Sequence, residues 1–60
     1  MKIENSKYYR VRKYGKVDSD LGTMNGEDVK GLLKGYAYDE DYDMWFSKAS
    51  TIGYDVQEVK

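Results

Sequence analysis

The sequence predicts an α+β fold in which one helix packs on a three-stranded, mainly antiparallel sheet, with the elements in the order β-α-β-β. A capped amphipathic segment near the middle of the chain predicts the helix. A Tyr- and Val-rich segment before it, and two strand-like segments after it, predict the sheet. Because 60 residues suffice for one domain only, we expect residues 1–60 to form a single small α+β domain.

The first strand is predicted at residues 7–14, where Tyr and Val favour extended backbone. Alternation divides this strand into one face with Tyr8, Arg10, Arg12 and Tyr14 and another with Tyr9, Val11 and Lys13. We expect Tyr9 and Val11 to point into the core. Residues 18–23 follow and are rich in Asp, Ser and Gly, which indicates a turn.

The helix is predicted to begin after Asn25, a favourable N-cap residue, with Glu27 and Asp28 in its first turn. Its apolar face has helical spacing and consists of Val29, Leu32, Leu33 and Tyr36. Gly35 is the expected C′ residue, so the predicted helix has about ten residues.

Two strands are predicted after the helix, at residues 42–48 and 52–59, and residues 49–51 form the loop between them. Residues 36–38 also have strand character, whereas residues 39–41 carry too much charge for anything but a turn or an exposed edge. The predicted core consists of Tyr9, Val11, Val29, Leu32, Leu33, Phe46 and Val56.

The composition argues against catalysis. The chain contains neither Cys nor His, which removes thiolate metal sites, the commonest metal ligand and the best proton-transfer group near neutral pH. The acidic run that starts at Asp39 does not match a calcium-binding loop, because its sixth and twelfth positions are Met44 and Ser50 instead of Gly and Glu. We therefore expect no enzyme activity, no bound metal and no cofactor.

The apolar segments are short, and none approaches the length of a signal-peptide core or a membrane span. We therefore expect a cytoplasmic protein that does not interact with membranes. A core built largely from tyrosines is marginal in so short a chain, which leaves homo-oligomerisation open.

The charges divide unevenly along the chain, although the net charge is only −1. Residues 1–17 contain six Lys and Arg against one Glu, and residues 18–60 contain four Lys against ten Asp and Glu. Such a division is typical of a polar binding surface, but it also arises when two halves neutralise each other across paired strands. Both interpretations remain open at this point.

The leading functional hypothesis concerns the acidic aromatic segment, which we define as Tyr38, Asp39, Glu40, Asp41, Tyr42, Asp43 and Trp45. Tyr and Trp are frequent anchors of protein interfaces, and an acidic field attracts a basic partner. The sequence therefore predicts a non-enzymatic protein-binding module whose partner has a basic surface. The plainer interpretation is that the rings belong to the core and the carboxylates to a solvated loop.

In its sharpest form, the hypothesis is that these carboxylates imitate a row of phosphates and block a nucleic-acid-processing protein. Small phage-encoded inhibitors of nucleases and glycosylases work on this principle. The likeness to those inhibitors is limited to the use of carboxylates in place of phosphates, because no motif in these residues resembles that of a known family.

The alternative hypothesis concerns the basic aromatic strand, which we define as Lys7, Tyr8, Arg10, Arg12, Lys13 and Tyr14. Aromatic rings stack on bases and cations contact phosphates in many proteins that bind single strands. The sequence therefore also predicts a single-stranded nucleic-acid-binding module, although its overall acidity disfavours this function.

Overall fold

The computed structural model describes all 60 residues and contains a five-stranded antiparallel sheet with one short helix. The elements in chain order are β1 (Tyr8–Tyr14), β2 (Ser19–Asn25), α1 (Gly26–Leu32), β3 (Ala37–Asp39), β4 (Met44–Phe46) and β5 (Gly53–Glu58). The strands are arranged as β2-β1-β5-β4-β3, and all neighbours are antiparallel. The predicted three-stranded sheet in β-α-β-β order is therefore wrong.

The first difference is strand β2, which occupies most of the segment predicted as a turn. The chain reverses earlier, at residues 15–17, and then runs back along β1 so that Tyr9 pairs with Met24 and Arg10 with Thr23. A bulge in this ladder is accommodated by Gly22, whose φ is +79°. Pairing with β1, rather than the intrinsic preference of Asp, Ser and Gly, determines the strand.

The second difference lies after the helix, where β3 and β4 are three-residue strands joined by a tight connection. Trp45 pairs with Tyr54, which is buried, so Trp45 belongs to the packed side of the sheet. Phe46 pairs with Gly53 and is 38% exposed, so the prediction that Phe46 is a core residue is wrong. Both faces of this segment carry aromatic residues, so alternation alone does not determine which face is buried.

The helix begins as predicted, because the side chain of Asn25 accepts a hydrogen bond from the Asp28 backbone N–H at 2.8 Å. It has only seven residues and ends sooner than predicted, with Leu33 as its C-cap. Gly35 has a left-handed φ of +85° in the turn that follows.

The core lies between this helix and the sheet, where α1 packs on β1 and β2. Five residues of the predicted core are buried, namely Tyr9, Val11, Val29, Leu33 and Val56. Leu32 is half-buried, and Ile3 and Tyr54 complete the buried cluster. We refer to the helix side as the packed face and to the uncovered side as the open face.

The N-terminal segment, residues 1–6, is held against the start of the helix. Ile3 is buried in the core, and the Glu4 backbone N–H donates to the Tyr9 hydroxyl oxygen at 2.8 Å. Gly26 packs so closely on this segment that a Cβ there would lie 1.8 Å from the Glu4 carbonyl oxygen. The N-terminal segment and the helix start therefore fit together only when residue 26 has no side chain.

Replacing Gly26 with Ala should therefore destabilise the protein by about 3 kcal/mol, because the methyl group must push the N-terminal segment away and expose Ile3. Urea or thermal unfolding followed by circular dichroism measures this change.

Gly31 provides the matched control, since it lies in the same helix and, apart from its chain neighbours and the helix backbone, no atom lies within 4 Å of the Cβ position there. Gly31→Ala should stabilise the protein by about 0.5–1 kcal/mol, because Ala favours the helix and restricts the unfolded chain. Equal effects of the two substitutions would contradict the packing of the N-terminal segment described above.

Candidate protein-binding surface

Two aromatic residues of the acidic aromatic segment lie inside the β3–β4 hairpin. Tyr38 on β3 pairs with Trp45 on β4, and their ring centroids are 5.3 Å apart. Both rings are half-buried, and Trp45 packs against the buried cluster next to Tyr54. They therefore contribute to packing within the hairpin, and only part of each ring is exposed.

Asp39 and Asp43 also serve the hairpin itself. One carboxylate oxygen of Asp39 accepts from the backbone N–H groups of Asp41 at 2.9 Å and Tyr42 at 3.4 Å, which fixes the turn. The carboxylate of Asp43 accepts from the Tyr38 hydroxyl at 2.5 Å and from the Gln57 side chain at 3.3 Å. Two of the four carboxylates in the segment therefore hold the chain in its folded path.

The Tyr38–Asp43 hydrogen bond shifts the proton affinities of both groups. It raises the pKa of Tyr38 to about 12, with desolvation and the charge of Asp43 acting in the same direction. The same bond, together with that from Gln57, holds the pKa of Asp43 below its ordinary value. The bond is therefore intact between these two extremes of pH.

Four exposed residues of this region, Glu40, Asp41, Tyr42 and Phe46, have side chains that form no hydrogen bond in the fold, and we call them the hairpin surface. Tyr42 is 71% exposed, and its ring lies edge-on to Phe46 with centroids 5.9 Å apart. Phe46 in turn lies over Gly53, where a Cβ would come within 2.8 Å of the ring. The two rings thus form an exposed aromatic pair on the open face.

A shallow groove of about 560 Å³ extends beside this pair, between Phe46 and the residues Asp39, Glu40 and Asp41. Lys48 lies at the rim of the groove. None of these carboxylates forms an ion pair, because all three ion pairs of the protein involve Lys7 or Arg10. The acidic charge of the hairpin therefore faces solvent without a counter-ion.

Sequence reasoning identified the carboxylates and Tyr42 but missed Phe46 as part of this surface. Gly53 was the available signal, because a glycine in the middle of a strand marks a close approach of other atoms. The identity of those atoms depends on the register between β4 and β5, which the sequence does not reveal.

The basic aromatic strand is divided by the fold. Tyr8, Arg10, Arg12 and Tyr14 share the open face, whereas Lys13 lies on the packed face and Lys7 precedes β1. Six residues predicted to act together are therefore not all on one surface.

Neighbouring acidic residues neutralise much of this strand. Arg10 pairs with Asp20 on β2, and this contact lowers the pKa of Asp20 and raises that of Arg10. Lys7 pairs with Glu4 at 2.7 Å and with Glu58 at 3.3 Å. The charge asymmetry of the sequence is thus partly cancelled across paired strands.

The chain has no group of three or more acidic side chains arranged to hold a metal ion. No helix of this chain has the length and apolar character needed to cross a membrane.

No protein-family model matches the chain, and neither a curated protein nor a solved structure matches it.

The Tyr38–Asp43 bond gives a pH-dependent prediction. The pKa of the Asp43 carboxyl group is lower in the folded protein than its ordinary value of 3.8, so the ionised carboxylate stabilises the fold above pH 3.8. This stabilisation is lost below pH 3.8, as the pH falls through the pKa of the folded protein. A raised phenol pKa acts in the opposite sense, so Tyr38 loses its contribution as pH rises from 10 to about 12. NMR titration should find Asp43 ionising below 3.8.

Tyr38→Phe should move the pKa of Asp43 toward its ordinary value, because the main donor is removed. Tyr42→Phe is the control, since the exposed Tyr42 hydroxyl does not bond to Asp43. A wild-type Asp43 that titrates normally would show that the hydrogen bond does not form in solution.

Proposed function

We propose that this chain is a non-enzymatic protein-binding module that docks a basic partner on its hairpin surface. The observation that supports this proposal is the placement of two unpaired carboxylates, Glu40 and Asp41, beside the exposed rings of Tyr42 and Phe46. Aromatic anchors next to a charged rim are the usual composition of a protein interface.

The rings supply the apolar contact area of the proposed interface. Tyr42 and Phe46 already contact each other in the free protein, so little side-chain freedom remains to be lost on binding. The bonds from Asp39 to the backbone of the turn restrict the hairpin in the same way. A surface that is ordered before binding retains more of its contact energy as affinity.

The carboxylates supply attraction and orientation. A partner with Lys or Arg side chains experiences the unneutralised charge of the hairpin and approaches it faster than a neutral partner would. The sharpest form of the proposal is that the partner is a nucleic-acid-processing protein and that the carboxylates occupy the place of phosphates. The uninterrupted acidic run Asp39-Glu40-Asp41, which forms no ion pairs, supports this form.

The test compares wild type with a Glu40→Gln/Asp41→Asn double variant in affinity capture from a lysate of the source cell. These two side chains form no hydrogen bonds within the fold, so their neutralisation removes charge and leaves the hairpin intact. We expect the variant to lose a basic protein that wild type captures, and Tyr42→Ala to lose the same protein. Binding measurements with the purified partner then give the affinity, and the dependence of this affinity on salt concentration gives its electrostatic contribution.

The matched control is Glu27→Gln/Asp28→Asn, which removes the same two charges from the helix start. This control should retain the partner. If both double variants and wild type capture the same proteins, the hairpin surface is not a binding site. If single-stranded DNA fails to compete with a captured partner, the phosphate-mimic form of the proposal is wrong.

A second candidate function is binding of single-stranded nucleic acid on the open face of β1. The observation that favours it is that two exposed Arg and two exposed Tyr residues, Tyr8, Arg10, Arg12 and Tyr14, alternate along one uncovered strand face. The ion pair between Arg10 and Asp20 weighs against it, since phosphate must compete with that carboxylate.

This second function is tested by titrating labelled single-stranded DNA and RNA at low and moderate salt. A site on β1 should lose affinity steeply as salt rises and about tenfold on Arg12→Ala, while Lys34→Ala on the opposite side should change it little. Absence of binding at low salt would eliminate this function.

A further inference from the structure

The open face of the sheet has no layer of structure packed on it, because the one helix lies on the other side, against β1 and β2. Four aromatic side chains on this open face have exposed fractions from 36% to 71%, namely Tyr8, Tyr14, Tyr42 and Phe46. An uncovered sheet face with this many exposed rings is typical of an interaction surface.

Two of these rings are placed symmetrically about β5. Tyr14 on β1 and Phe46 on β4 both pair with Gly53, from opposite sides. The two rings, Gly53 and Lys16 line a shared groove of about 480 Å³. A two-fold axis along β5 exchanges the positions of β1 and β4, so it places Tyr14 of one copy of the chain on Phe46 of a second copy.

The unpaired charges of this region are separated in the same direction as the two rings. On the β1 side, Arg12 and Lys16 are exposed and form no ion pair. On the hairpin side, Glu40 and Asp41 are exposed and form no ion pair either. The same two-fold axis therefore places the free cations of each copy opposite the free carboxylates of the other, so the surface is complementary to itself.

Two further charged residues lie close to these groups. Asp55 pairs in register with Arg12, but it is half-buried and accepts a hydrogen bond from the Gln57 side chain at 2.9 Å. Lys48 lies at the rim of the hairpin groove and forms no ion pair with the carboxylates there. The open face therefore keeps one basic side and one acidic side.

We propose that two copies of this chain associate through their open faces, with the Arg12 side of each copy on the hairpin surface of the other. The largest face of the Cα trace measures 29 × 21 Å, which is about 600 Å² on each copy. A total of about 1,200 Å² lies at the low end of specific interfaces, so the dimer is weak and forms only at high concentration. The dimer uses the hairpin surface of the proposed function but does not rest on that function, because it needs no other partner.

The experiment is sedimentation equilibrium of the purified chain from about 1 μM to about 1 mM. The average mass should rise from that of one chain toward that of two, and added salt should reduce the rise because the charges are exposed. Over the same range, the NMR signals of the Tyr14 and Phe46 rings should shift with concentration. The methyl signals of Val29, which is buried on the helix side, should not shift.

Charge reversal tests the proposed pairing of the two sides. Arg12→Glu/Lys16→Glu reverses the basic side, and Glu40→Lys/Asp41→Lys reverses the acidic side. Each variant alone should associate at least about tenfold more weakly than wild type, since like charges then face each other. An equimolar mixture of the two variants should recover association, because each reversed side then meets the opposite charge on the other chain.

Lys30→Glu/Lys34→Glu is the matched control, since it makes the same change in net charge on the helix side and should associate like wild type. Circular dichroism of each variant shows whether it is folded. If a reversed variant unfolds, the neutral variant Arg12→Gln/Lys16→Gln replaces it, and this variant should weaken association about threefold.

Three results would overturn the proposal. One is a chain that remains a monomer at about 1 mM. Another is association without shifts of the two rings, which would place the contact elsewhere, for example at the edge of β2. The last is a mixture of folded, reversed variants that stays monomeric. None of these results bears on the capture of a basic protein, whereas a dimer that captures no such protein would contradict the proposed function alone.

Discussion

The structure depends on the buried side chain of Tyr9. This residue lies near the start of β1, pairs with β2 on one side and β5 on the other, and is fully buried beneath the helix. A buried hydroxyl needs a partner, and the Glu4 backbone N–H provides it. Together with the burial of Ile3, that bond holds the N-terminal segment against the packed face, where Gly26 allows the helix to begin beside it.

In a chain with so small a core, some polar side chains form contacts that stabilise the fold, and others remain exposed to solvent. Arg10 on β1 is bound to Asp20, and Lys7 just before β1 is bound to two glutamates, whereas Arg12 and Lys13 form no ion pair. On the β3–β4 hairpin the carboxylates form no ion pair, and those that form hydrogen bonds accept them from hydroxyl, amide or backbone donors that carry no charge. The electrostatic field of the hairpin therefore survives folding, whereas that of β1 is reduced.

The sequence correctly predicted buried residues and a helix start where apolar residues follow the regular spacing of a strand or a helix. Tyr9, Val11 and Val56 alternate with polar residues, and Asn25 caps a helix of obvious amphipathicity, so all four are found as predicted. Strand β2 could not be predicted in the same way. It is an edge strand without a buried alternation, and backbone pairing to β1 determines its conformation.

The hairpin shows a second limit of prediction from sequence. Trp45 and Phe46 are adjacent, so one must face the core and the other the open side, and both are aromatic. The choice depends on the left-handed backbone at Asp43, with a φ of +53°, and on the turn that Asp39 fixes. The sequence thus predicted that residues 39–41 would form a turn or an exposed edge next to aromatic residues, but not the hairpin of β3 and β4 nor which of its side chains are exposed.

The four carboxylates of this hairpin consequently have unequal roles. Asp39 and Asp43 hold the turn and the Tyr38 hydroxyl, so their removal changes the conformation as well as the charge. Glu40 and Asp41 contribute charge alone, and the turn directs them to the same side of the molecule as the groove beside Phe46. Asp39 and Asp43 therefore fix the conformation of the hairpin on which Glu40 and Asp41 are exposed. Affinity for a basic partner would then depend on the first pair through geometry and on the second pair through charge.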